Sequence, residues 1–506
     1  MLFNSYIFIF IFFPLCITGF YLLKNVDKYE LAKIWLIALS LWFYGYFNVY
    51  YLAIMILSIL LNHVLITAIR GGKYKKTIFI AGIVLNLGVL FYFKYFDFFI
   101  ENVNLIFKSD WPLKHILLPL GISFFTFQQI GFLADTYRGD VEKTNFVDYA
   151  LFVSFFPQLI AGPIVSGEEM LPQFKNLSKS KYDSEKTARG LALFIMGLSK
   201  KVLIADTIGK AVDAGYISYA AMNGLDSFLI MIWYTLQLYF DFSGYCDMAR
   251  GLAMMLGFDL PVNFDSPYKA SNIVEFWKRW HMTLTRFFTG YVYIPLGGNR
   301  KGFVRMLINI GIVYFLSGLW HGAGYNFIIW GMLHGVLYII TRIWMKIVGK
   351  GTDKAGKKDG LPDNKIVVKC LYVIRRIIGT TATFLYVAFA WIFFRAENLT
   401  QAAALIKNMF VGSWKAVSYP LTEAFKISEI WYVIKVLHLD RYTIGQMLPM
   451  ILITAVTLIM TFAAPNAAKV AGTIKPRLRT AVVLAALGLW CVLALSNVST
   501  FLYFNF

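Results

Sequence analysis

Uncharged apolar stretches recur from the start of the chain to its end. Crossing the hydrocarbon core of a bilayer takes about 20 such residues as an α-helix. We therefore expect an all-α, polytopic membrane protein with roughly 10–13 transmembrane helices. The best candidate spans are Met1–Leu23, Thr77–Phe93, Val147–Val165, Ser227–Phe242, Met306–Leu319, Phe327–Ile340, Ile377–Phe394, Leu448–Ala464 and Ala481–Phe504. The uncharged stretch Ile34–Ile69 is long enough for one tilted span or for a span plus a re-entrant piece.

The composition fits a chain that has the bilayer as its solvent. Hydrophobic residues make up 58% of its 506 residues and charged residues only 15%, which is unusual for a water-soluble globular protein. Because apolar segments continue throughout, we expect a single membrane domain over residues 1–506. Its core motifs lie at 116–341, and C-terminal helices are predicted over 377–506.

The net charge of +20 comes mainly from Lys and Arg in short connections between apolar stretches. The positive-inside rule places these connections in the cytoplasm, and they are Arg70–Lys76, Lys175–Lys201, Lys346–Arg376 and Lys469–Arg479. We expect a multi-pass protein of the cytoplasmic (inner) membrane and no nucleic-acid partner. Residues 350–364 are rich in Gly, Lys and Asp, which predicts a mobile cytoplasmic loop over 346–369.

The segment Tyr239–Arg300 carries more ionisable groups than an ordinary span tolerates. Charges at membrane depth are unfavourable and usually serve a cavity or a functional site. Alternatively, Asp241 with Tyr245 and Asp247 with Arg250 would satisfy each other by hydrogen bonding on one helix. Prolines and glycines break the rest of the segment, and irregular backbone at this depth needs protein or water around it. We therefore predict re-entrant helices that line a central chamber.

Two histidines in and after this segment are candidates for chemistry. In WKRWHMTLTRFF, Trp277, Trp280 and His281 have the spacing i, i+3 and i+4, so on one continuous helix both indoles and the imidazole share a face. His321 follows Trp320 at the end of an uncharged span, and glycines after it allow close approach of a backbone or a ligand. A histidine in a membrane segment is a functional candidate, although a single buried histidine can simply bond a backbone carbonyl.

Other residues of these types are assigned no chemistry. His334 lies thirteen residues after His321 and, on a continuous helix, points roughly away from it, so we expect it to pack. The four cysteines are scattered singly with no ligand spacing. We therefore predict neither a disulfide nor a bound metal.

Five motifs point to a known family. They are GISFFTFQQIGFLADTYRG at Gly121–Gly139, FFPQLIAGPI at Phe155–Ile164, YFDFSGYCDMARGLAMMLGF at Tyr239–Phe258, WKRWHMTLTRFFTGYVYIPLGGNR at Trp277–Arg300 and GLWHGAGYNFIIWG at Gly318–Gly331. With these motifs the chain resembles the membrane-bound O-acyltransferase family, nearly end to end. The closer resemblance is to the bacterial branch that contains the alginate O-acetylation membrane protein and, more distantly, the teichoic acid D-alanyl transfer protein. The closing FLYFNF and the long tail after Arg395 favour the alginate type.

The resemblance implies transfer of an acyl group, expected to be acetyl, to hydroxyls of an extracytoplasmic polysaccharide. The donor is expected to be a cytoplasmic thioester, either acetyl-CoA or an acyl-carrier thioester, with no bound cofactor. The acceptor is either the polymer itself or a secreted or membrane-anchored SGNH-type acetyltransferase partner with a serine hydrolase-like site.

The resemblance also assigns site residues. The family's near-invariant histidine falls on His321 and its second polar catalytic position on His281. A neutral imidazole suits a general base at physiological pH, so we expect His321 to deprotonate the hydroxyl and His281 to bind or polarise the thioester carbonyl. The expected substrate-binding and chamber-forming residues are Trp277, Trp280, Arg279 and Trp320.

Three alternatives remain open on the sequence. D-alanyl transfer to teichoic acid would use a carrier-protein thioester instead of CoA. A transporter or channel would use intramembrane charges and broken helices in the same way, although no inverted repeat is present. A structural scaffold for a polysaccharide synthase would not need either histidine.

Overall fold

The computed structural model describes residues 1–354, 365–475, 477–497 and 500–502. These residues form helices and no strand, which confirms the all-α class. The first twelve α-helices are α1 (Phe13–Asn25), α2 (Tyr29–Gly45), α3 (Val49–Arg70), α4 (Lys75–Leu90), α5 (Phe96–Phe107), α6 (Ile122–Arg138), α7 (Phe146–Ser154), α8 (Phe156–Leu159), α9 (Gly167–Lys175), α10 (Ser184–Ser199), α11 (Asp206–Ile217) and α12 (Gly224–Met255).

The second half of the chain alternates short helical pieces with long apolar helices. These are α13 (Ile273–Trp277), α14 (Met282–Phe288), α15 (Phe303–His321), α16 (Tyr325–Lys354), α17 (Lys365–Arg395), α18 (Leu399–Val411), α19 (Tyr419–Glu423), α20 (Ser428–Val436), α21 (Thr443–Phe462), α22 (Ala467–Thr473) and α23 (Leu478–Leu493). Single π-helical turns extend or join several of them, including Thr289–Tyr293 directly after α14.

Seven helices in the described part of the chain are long and apolar enough to cross a membrane, judged by length and composition. They are Phe8–Asn25, Val49–Arg70, Lys75–Phe107, Phe303–His321, Tyr325–Val348, Cys370–Arg395 and Thr443–Phe462. A shorter apolar helix follows at Leu478–Leu493. The predicted polytopic membrane class is thus confirmed.

The predicted span Val147–Val165 is wrong, because this apolar stretch is broken into short pieces. Phe155 has a non-helical ψ of 107° and ends α7, and the following helix α8 is only four residues long. Side chains from Asp148 to Ser154 are all buried inside the protein. The stretch is therefore apolar because it belongs to a protein core, and not because it faces lipid.

The stretch Ile34–Ile69 folds as two helices, α2 and α3, and not as one tilted span. The side chain of Asn48 accepts a hydrogen bond from the backbone N–H of Tyr50 at 2.8 Å and so caps the start of α3. With its 22 residues, α3 is long enough to span by itself.

Part of the predicted loop over 346–369 lies outside the described residues, namely 355–364. The flanks are helical, since α16 continues to Lys354 and α17 begins at Lys365. The predicted span Ala481–Phe504 is helical as far as Leu493, and residues 498–499 and 503–506 also lie outside the described part.

The chain divides into two compact units. The first comprises Met1–Leu203, Asp241–Val262 and Ala467–Phe506, and the second comprises Ile204–Phe240 and Asn263–Asn466. The motif residues His281 and His321 both fall in the second unit.

Two of the buried ion pairs in the first unit involve consecutive lysines. Lys200 Nζ lies 2.6 Å from Asp247 Oδ2, and Lys201 Nζ lies 2.6 Å from Asp241 Oδ1. Both lysines precede α11 in a π-helical segment and are buried. These two lysines at the end of the predicted connection are therefore not solvated, because each neutralises a carboxylate of α12.

These ion pairs also replace the pairs that the spacing within α12 predicted. Asp241 bonds a lysine instead of Tyr245, and Asp247 forms its ion pair with a lysine instead of Arg250. The Nε of Arg250 donates to the carbonyl of Leu260. Sequence spacing on one helix could not reveal partners on another segment.

The end of the described chain is attached to one of these ion pairs. The second carboxylate oxygen of Asp241 accepts a hydrogen bond from the backbone N–H of Leu502 at 2.9 Å. Lys201 donates to the carbonyl of Thr500 and lies 4.6 Å from the ring centroid of Phe501. The tail is thus part of the core of the first unit.

In the second unit, α15 and α16 form a hairpin whose glycines allow very close packing. A Cβ atom at Gly318 would lie 2.5 Å from the carbonyl oxygen of Phe327, and one at Gly331 would lie 2.4 Å from that of Tyr314. After α15, a Cβ atom at Gly322 would lie 2.1 Å from the ring of Phe327. The close approach predicted for these glycines is therefore made by the chain itself.

The two helices of the hairpin run antiparallel. Arg342 Nη2 lies 3.7 Å from the sulfur of Met306, and Lys346 Nζ lies 3.6 Å from the ring centroid of Phe303. His321 therefore lies at one end of the hairpin, and Arg342 lies near the end from which the predicted cytoplasmic connection departs.

Candidate active site

The imidazole of His321 lies at the end of α15 among aromatic side chains. The residue is 4% exposed. Its ring centroid lies 4.8 Å from those of Trp320 and Trp330 and 5.1 Å from that of Phe394. A histidine in such surroundings is shielded from bulk water, which strengthens its polar interactions with a bound substrate.

His281 lies at a break between α13 and α14, and not within a helix. Its backbone has a φ of 43°, in the left-handed region that no interior residue of an α-helix adopts. The side chain of Asn263 caps α14, since its Oδ1 accepts from the backbone N–H and the hydroxyl of Thr283 at 3.2 and 2.9 Å. The prediction that Trp277, Trp280 and His281 share one helix face is therefore wrong.

The contact with Asn263 also sets the tautomer of His281. Its Nδ1 lies 3.2 Å from Asn263 Oδ1, which already accepts two hydrogen bonds and so acts as an acceptor here. Nδ1 therefore carries the proton, and Nε2 is an acceptor. Burial lowers the pKa of His281 to about 3, so the ring is neutral at physiological pH.

Trp320 connects the two catalytic candidates. Its ring centroid lies 6.2 Å from that of His281 and 4.8 Å from that of His321. The structure thus brings both predicted histidines to one indole.

A third histidine belongs to the same aromatic cluster. His334 is fully buried, and its Nδ1 accepts a hydrogen bond from the indole N–H of Trp277 at 3.3 Å. Its ring centroid lies 5.1 Å from that of Trp330, the same indole that contacts His321. On one continuous helix His334 would point away from His321, but the chain reverses direction at residues 322–324 and brings both imidazoles to Trp330.

A cavity of about 260 Å³ runs along the α15–α16 hairpin. Its α15 wall is formed by Met306, Ile310, Tyr314 and Ser317, and the opposite wall comes from α13, α14 and the π-helical turn Thr289–Tyr293. At 1.5 Å per residue, α15 from Met306 to Ser317 is about 16 Å long. The prediction that the broken segment lines a chamber is confirmed for these pieces.

The ends of the cavity differ in chemistry. Arg342 and the exposed Lys278 line it, with Arg342 beside Met306. At the other end, Ser317 lies one helical turn before His321, and Trp277 is part of the wall. The Arg342 end of the cavity is thus cationic, and the other end lies one helical turn before His321, although neither His321 nor His281 lines the cavity itself.

The other predicted substrate-binding residues hold the walls and do not line this cavity. Arg279 donates to Glu275 at 2.8 Å and to the carbonyl of Asp265. Trp280 stacks on Phe276 with ring centroids 5.6 Å apart. Of the four, Trp277 alone lies on the surface of the cavity.

Comparisons with known proteins agree with this geometry. The family model described as MBOAT, membrane-bound O-acyltransferase family, matches residues 136–384. A peptidoglycan O-acetyltransferase of Helicobacter pylori is 37% identical over 538 aligned residues, which cover 100% of this chain and 98% of that protein. A probable alginate O-acetylase AlgI of Pseudomonas putida is 37% identical over 82% of this chain and 81% of that protein. A teichoic acid D-alanyltransferase of Streptococcus thermophilus is 27% identical over 50% of this chain and 64% of that protein.

The chain belongs to the membrane-bound O-acyltransferase family. It is therefore an O-acyltransferase, and the predicted enzyme class is confirmed. The alternatives of a transporter, a channel or a scaffold are not supported.

Sequence reasoning missed two residues of this candidate site. Asn263 fixes the ring of His281, and His334 fixes that of Trp277. The signal for Asn263 was weak, because an Asn in a proline-broken segment also suits a plain turn. The signal for His334 was its tryptophan-rich surroundings, which the assumption of one continuous helix concealed.

Proposed function

We propose that this acyltransferase moves an acetyl group from a cytoplasmic thioester to a hydroxyl on the extracytoplasmic side of the membrane. The observation that carries the proposal is the cavity along α15. It begins beside Arg342 and ends at Ser317, one turn before His321. A thioester that enters by this route brings its carbonyl toward the imidazole.

The donor cavity suits a narrow arm that ends in a thioester. About 260 Å³ is slightly below the range of about 300–1,000 Å³ that encloses whole drug-sized ligands. Lys278 and Arg342 are placed to attract phosphates, which both acetyl-CoA and a carrier-protein arm possess. We propose acetyl-CoA as the donor substrate.

The chemistry assigned to His321 is general-base catalysis. Its neutral imidazole takes the proton of the acceptor hydroxyl as the oxygen attacks the thioester carbonyl carbon. The C–S bond then breaks, and the proton passes to the departing thiolate. Such a base accelerates a reaction by roughly 10²–10⁴-fold.

The role first expected for His281 does not suit its tautomer. With the proton on Nδ1, its Nε2 accepts hydrogen bonds and cannot donate one to a carbonyl oxygen. We therefore propose two roles for His281. Its Nε2 accepts a hydrogen bond from a donor group of a substrate, and its ring packs against Trp320, which contacts His321.

The proposed acceptor is a glycan of the cell envelope, reached directly or through an SGNH-type partner. The relatives that are 37% identical carry the names peptidoglycan O-acetyltransferase and alginate O-acetylase. The former aligns with the whole of this chain, so peptidoglycan is the acceptor to test first.

The test compares three strains of a host that lacks this acyltransferase. They express the wild type, His321→Asn and, as a matched control in the same unit, His438→Asn, whose imidazole is exposed. Membrane abundance is matched by immunoblot. Mild alkali then releases ester-linked acetate and D-alanine from isolated peptidoglycan and exopolysaccharide, and both are quantified.

We expect acetate to be restored by the wild type and by His438→Asn, and to fall by at least about a hundredfold in His321→Asn. Full acetylation by His321→Asn would remove this histidine from the mechanism. Restoration of D-alanine in place of acetate would assign the chain to the teichoic acid reaction.

A further inference from the structure

The indole of Trp277 borders the deep end of the donor cavity, and a second indole, that of Trp330, packs against it. Trp277 lies on the cavity wall, with its ring centroid 5.4 Å from that of Tyr314. Trp330 lies 6.1 Å from Trp277 and 4.8 Å from His321, measured between ring centroids. Trp330 and His321 are packed against each other and do not line the cavity, so an acyl group that reaches its deep end meets the ring of Trp277.

The orientation of Trp277 is fixed by a single buried hydrogen bond. Its indole N–H donates to Nδ1 of His334 at 3.3 Å. The two residues are 5% and 0% exposed, so water does not compete for this bond. The ring of Phe276 stacks on that of His334 at an interplanar angle of 12° and holds the imidazole in place.

This arrangement is more specific than a packed core requires. A buried histidine that only fills space places polar ring nitrogens in an apolar core, which is unfavourable unless they form hydrogen bonds. A leucine or phenylalanine would fill the same space without this desolvation cost. Here one ring nitrogen is used to hold the indole that borders the cavity. In the described part of the chain, the other nitrogen of His334 and the indole nitrogen of Trp330 have no hydrogen-bond partner.

We propose that Trp277 limits the length of the acyl group and that His334 is the positioning residue that holds it in place. This inference rests on the proposed transfer from a thioester. It adds a prediction of the acyl-chain length that the enzyme accepts. A short acyl group such as acetyl ends at the ring of Trp277, whereas a longer chain requires that ring to move. His334 resists that movement through its hydrogen bond.

The test uses membranes that contain the full chain and washed cell envelopes as acceptor. Acetyl-, butyryl- and hexanoyl-CoA are supplied separately, and the ester-linked acyl groups are quantified to give the ratio of butyryl to acetyl transfer. The variants are Trp277→Ala, Trp277→Phe, His334→Leu and His334→Asn. The matched control is Trp344→Ala, since Trp344 lies on α16 like His334 but is 61% exposed.

In Trp277→Ala we expect the butyryl-to-acetyl ratio to rise on the order of tenfold or more, because each methylene that a pocket admits or rejects changes specificity by about this factor. Trp277→Phe and His334→Leu remove the hydrogen bond and should raise the ratio severalfold. His334→Asn keeps an acceptor oxygen near the position of Nδ1 and should restore the wild-type ratio, and Trp344→Ala should leave it unchanged.

Two results would overturn the inference. Equal ratios in His334→Leu and His334→Asn would show that the hydrogen bond does not position Trp277. A wild-type ratio in Trp277→Phe and in any active Trp277→Ala protein would show that this indole does not limit chain length. If the wild type transfers no acyl group from any of the three thioesters, the proposed function itself fails. That failure is seen in the wild type alone, before the ratios of the variants are compared.

Discussion

At the scale of single residues, the buried imidazole of His281 makes folding sensitive to acid. Its pKa is lowered to about 3, whereas an unfolded histidine titrates near 6.5. Between these values the unfolded chain binds the additional proton, so stability contributed by the neutral ring is present above pH 6.5 and is lost as the pH falls below it. At pH 5 this amounts to about 2 kcal/mol.

We therefore predict that His281→Asn is less sensitive to acid than the wild type. Asn tolerates the left-handed backbone and can still donate to Asn263. Thermal unfolding in detergent should show that the loss of stability from pH 7 to pH 5 is smaller in this variant by about 2 kcal/mol. His438→Asn, at an exposed histidine, should behave as the wild type. Identical pH profiles for all three proteins would contradict a neutral buried His281.

His281 and His321 both contact Trp320, and both were identifiable in the sequence as polar residues in an apolar chain. Their supporting residues were not predictable in this way. Asn263 precedes His281 by eighteen residues, and His334 bonds Trp277 across a separation of 57. Such pairs depend on how the chain reverses between helices, which hydrophobic periodicity does not encode.

At the scale of elements, the sequence predicted long apolar helices well and short ones poorly. The predicted spans Met306–Leu319 and Phe327–Ile340 correspond to α15 and to part of α16. The spacing of Trp277, Trp280 and His281 predicts that WKRWH is part of one helix. It breaks there because Asn263, from a preceding loop, supplies a cap that starts α14 anew. Tertiary contacts thus override local propensity.

The α15–α16 hairpin should depend on the absence of side chains at its closest contact. In Gly331→Ala the new Cβ atom would lie 2.4 Å from the carbonyl oxygen of Tyr314 and 3.0 Å from the Cα atom of Gly318. Backbone atoms cannot move aside as a flexible side chain can, so we expect a loss of about 1–3 kcal/mol and reduced acyl transfer.

The matched control for this hairpin is Gly311→Ala. It lies in α15, and the nearest atom to its new Cβ, from Ile339, is 4.0 Å away. An alanine there should be neutral or stabilise the helix by up to about 1 kcal/mol. Melting temperatures and membrane activities of the two variants give the comparison. Equal stability in both would mean that the helices are farther apart than described.

At the scale of the whole molecule, the sequence did not reveal which charged side chains are buried. Lys200 and Lys201 looked like part of a basic cytoplasmic connection, yet both are buried against carboxylates 40 and 47 residues away in sequence. Composition identifies a membrane protein, but it cannot separate a lysine that faces the cytoplasm from one that pairs inside. Only the packing of α12 against the segment after α10 decides this.

Removing one partner of the Lys201–Asp241 ion pair should lower stability more than removing both charges, because a single buried charge is left without its partner. Asp241→Asn keeps an acceptor for the N–H of Leu502 but leaves Lys201 buried without a countercharge, which should lower stability by about 3–5 kcal/mol. The double variant Lys201→Met, Asp241→Asn removes that charge and should recover most of the loss.

Detergent melting temperatures test this pair. The exposed ion pair of Arg189 with Glu185 is the control, and Glu185→Gln should change stability by no more than about 0.5 kcal/mol. A double variant as unstable as Asp241→Asn would show that the uncompensated charge is not the cause, and would point to the attachment of the tail instead.

The direction in which the chain crosses the membrane decides whether a cytoplasmic thioester can reach the cavity, because its cationic end lies at the Arg342 end of the hairpin. Cys370, near the start of α17, offers a native probe on the same side, since it is exposed whereas Cys16, Cys246 and Cys491 are buried. An impermeant maleimide should label the wild type in inverted membrane vesicles and not in intact cells, and Cys370→Ser should abolish that labelling. Labelling from outside would place the entrance of the cavity away from the CoA pool, and acetyl-CoA could not then be the donor.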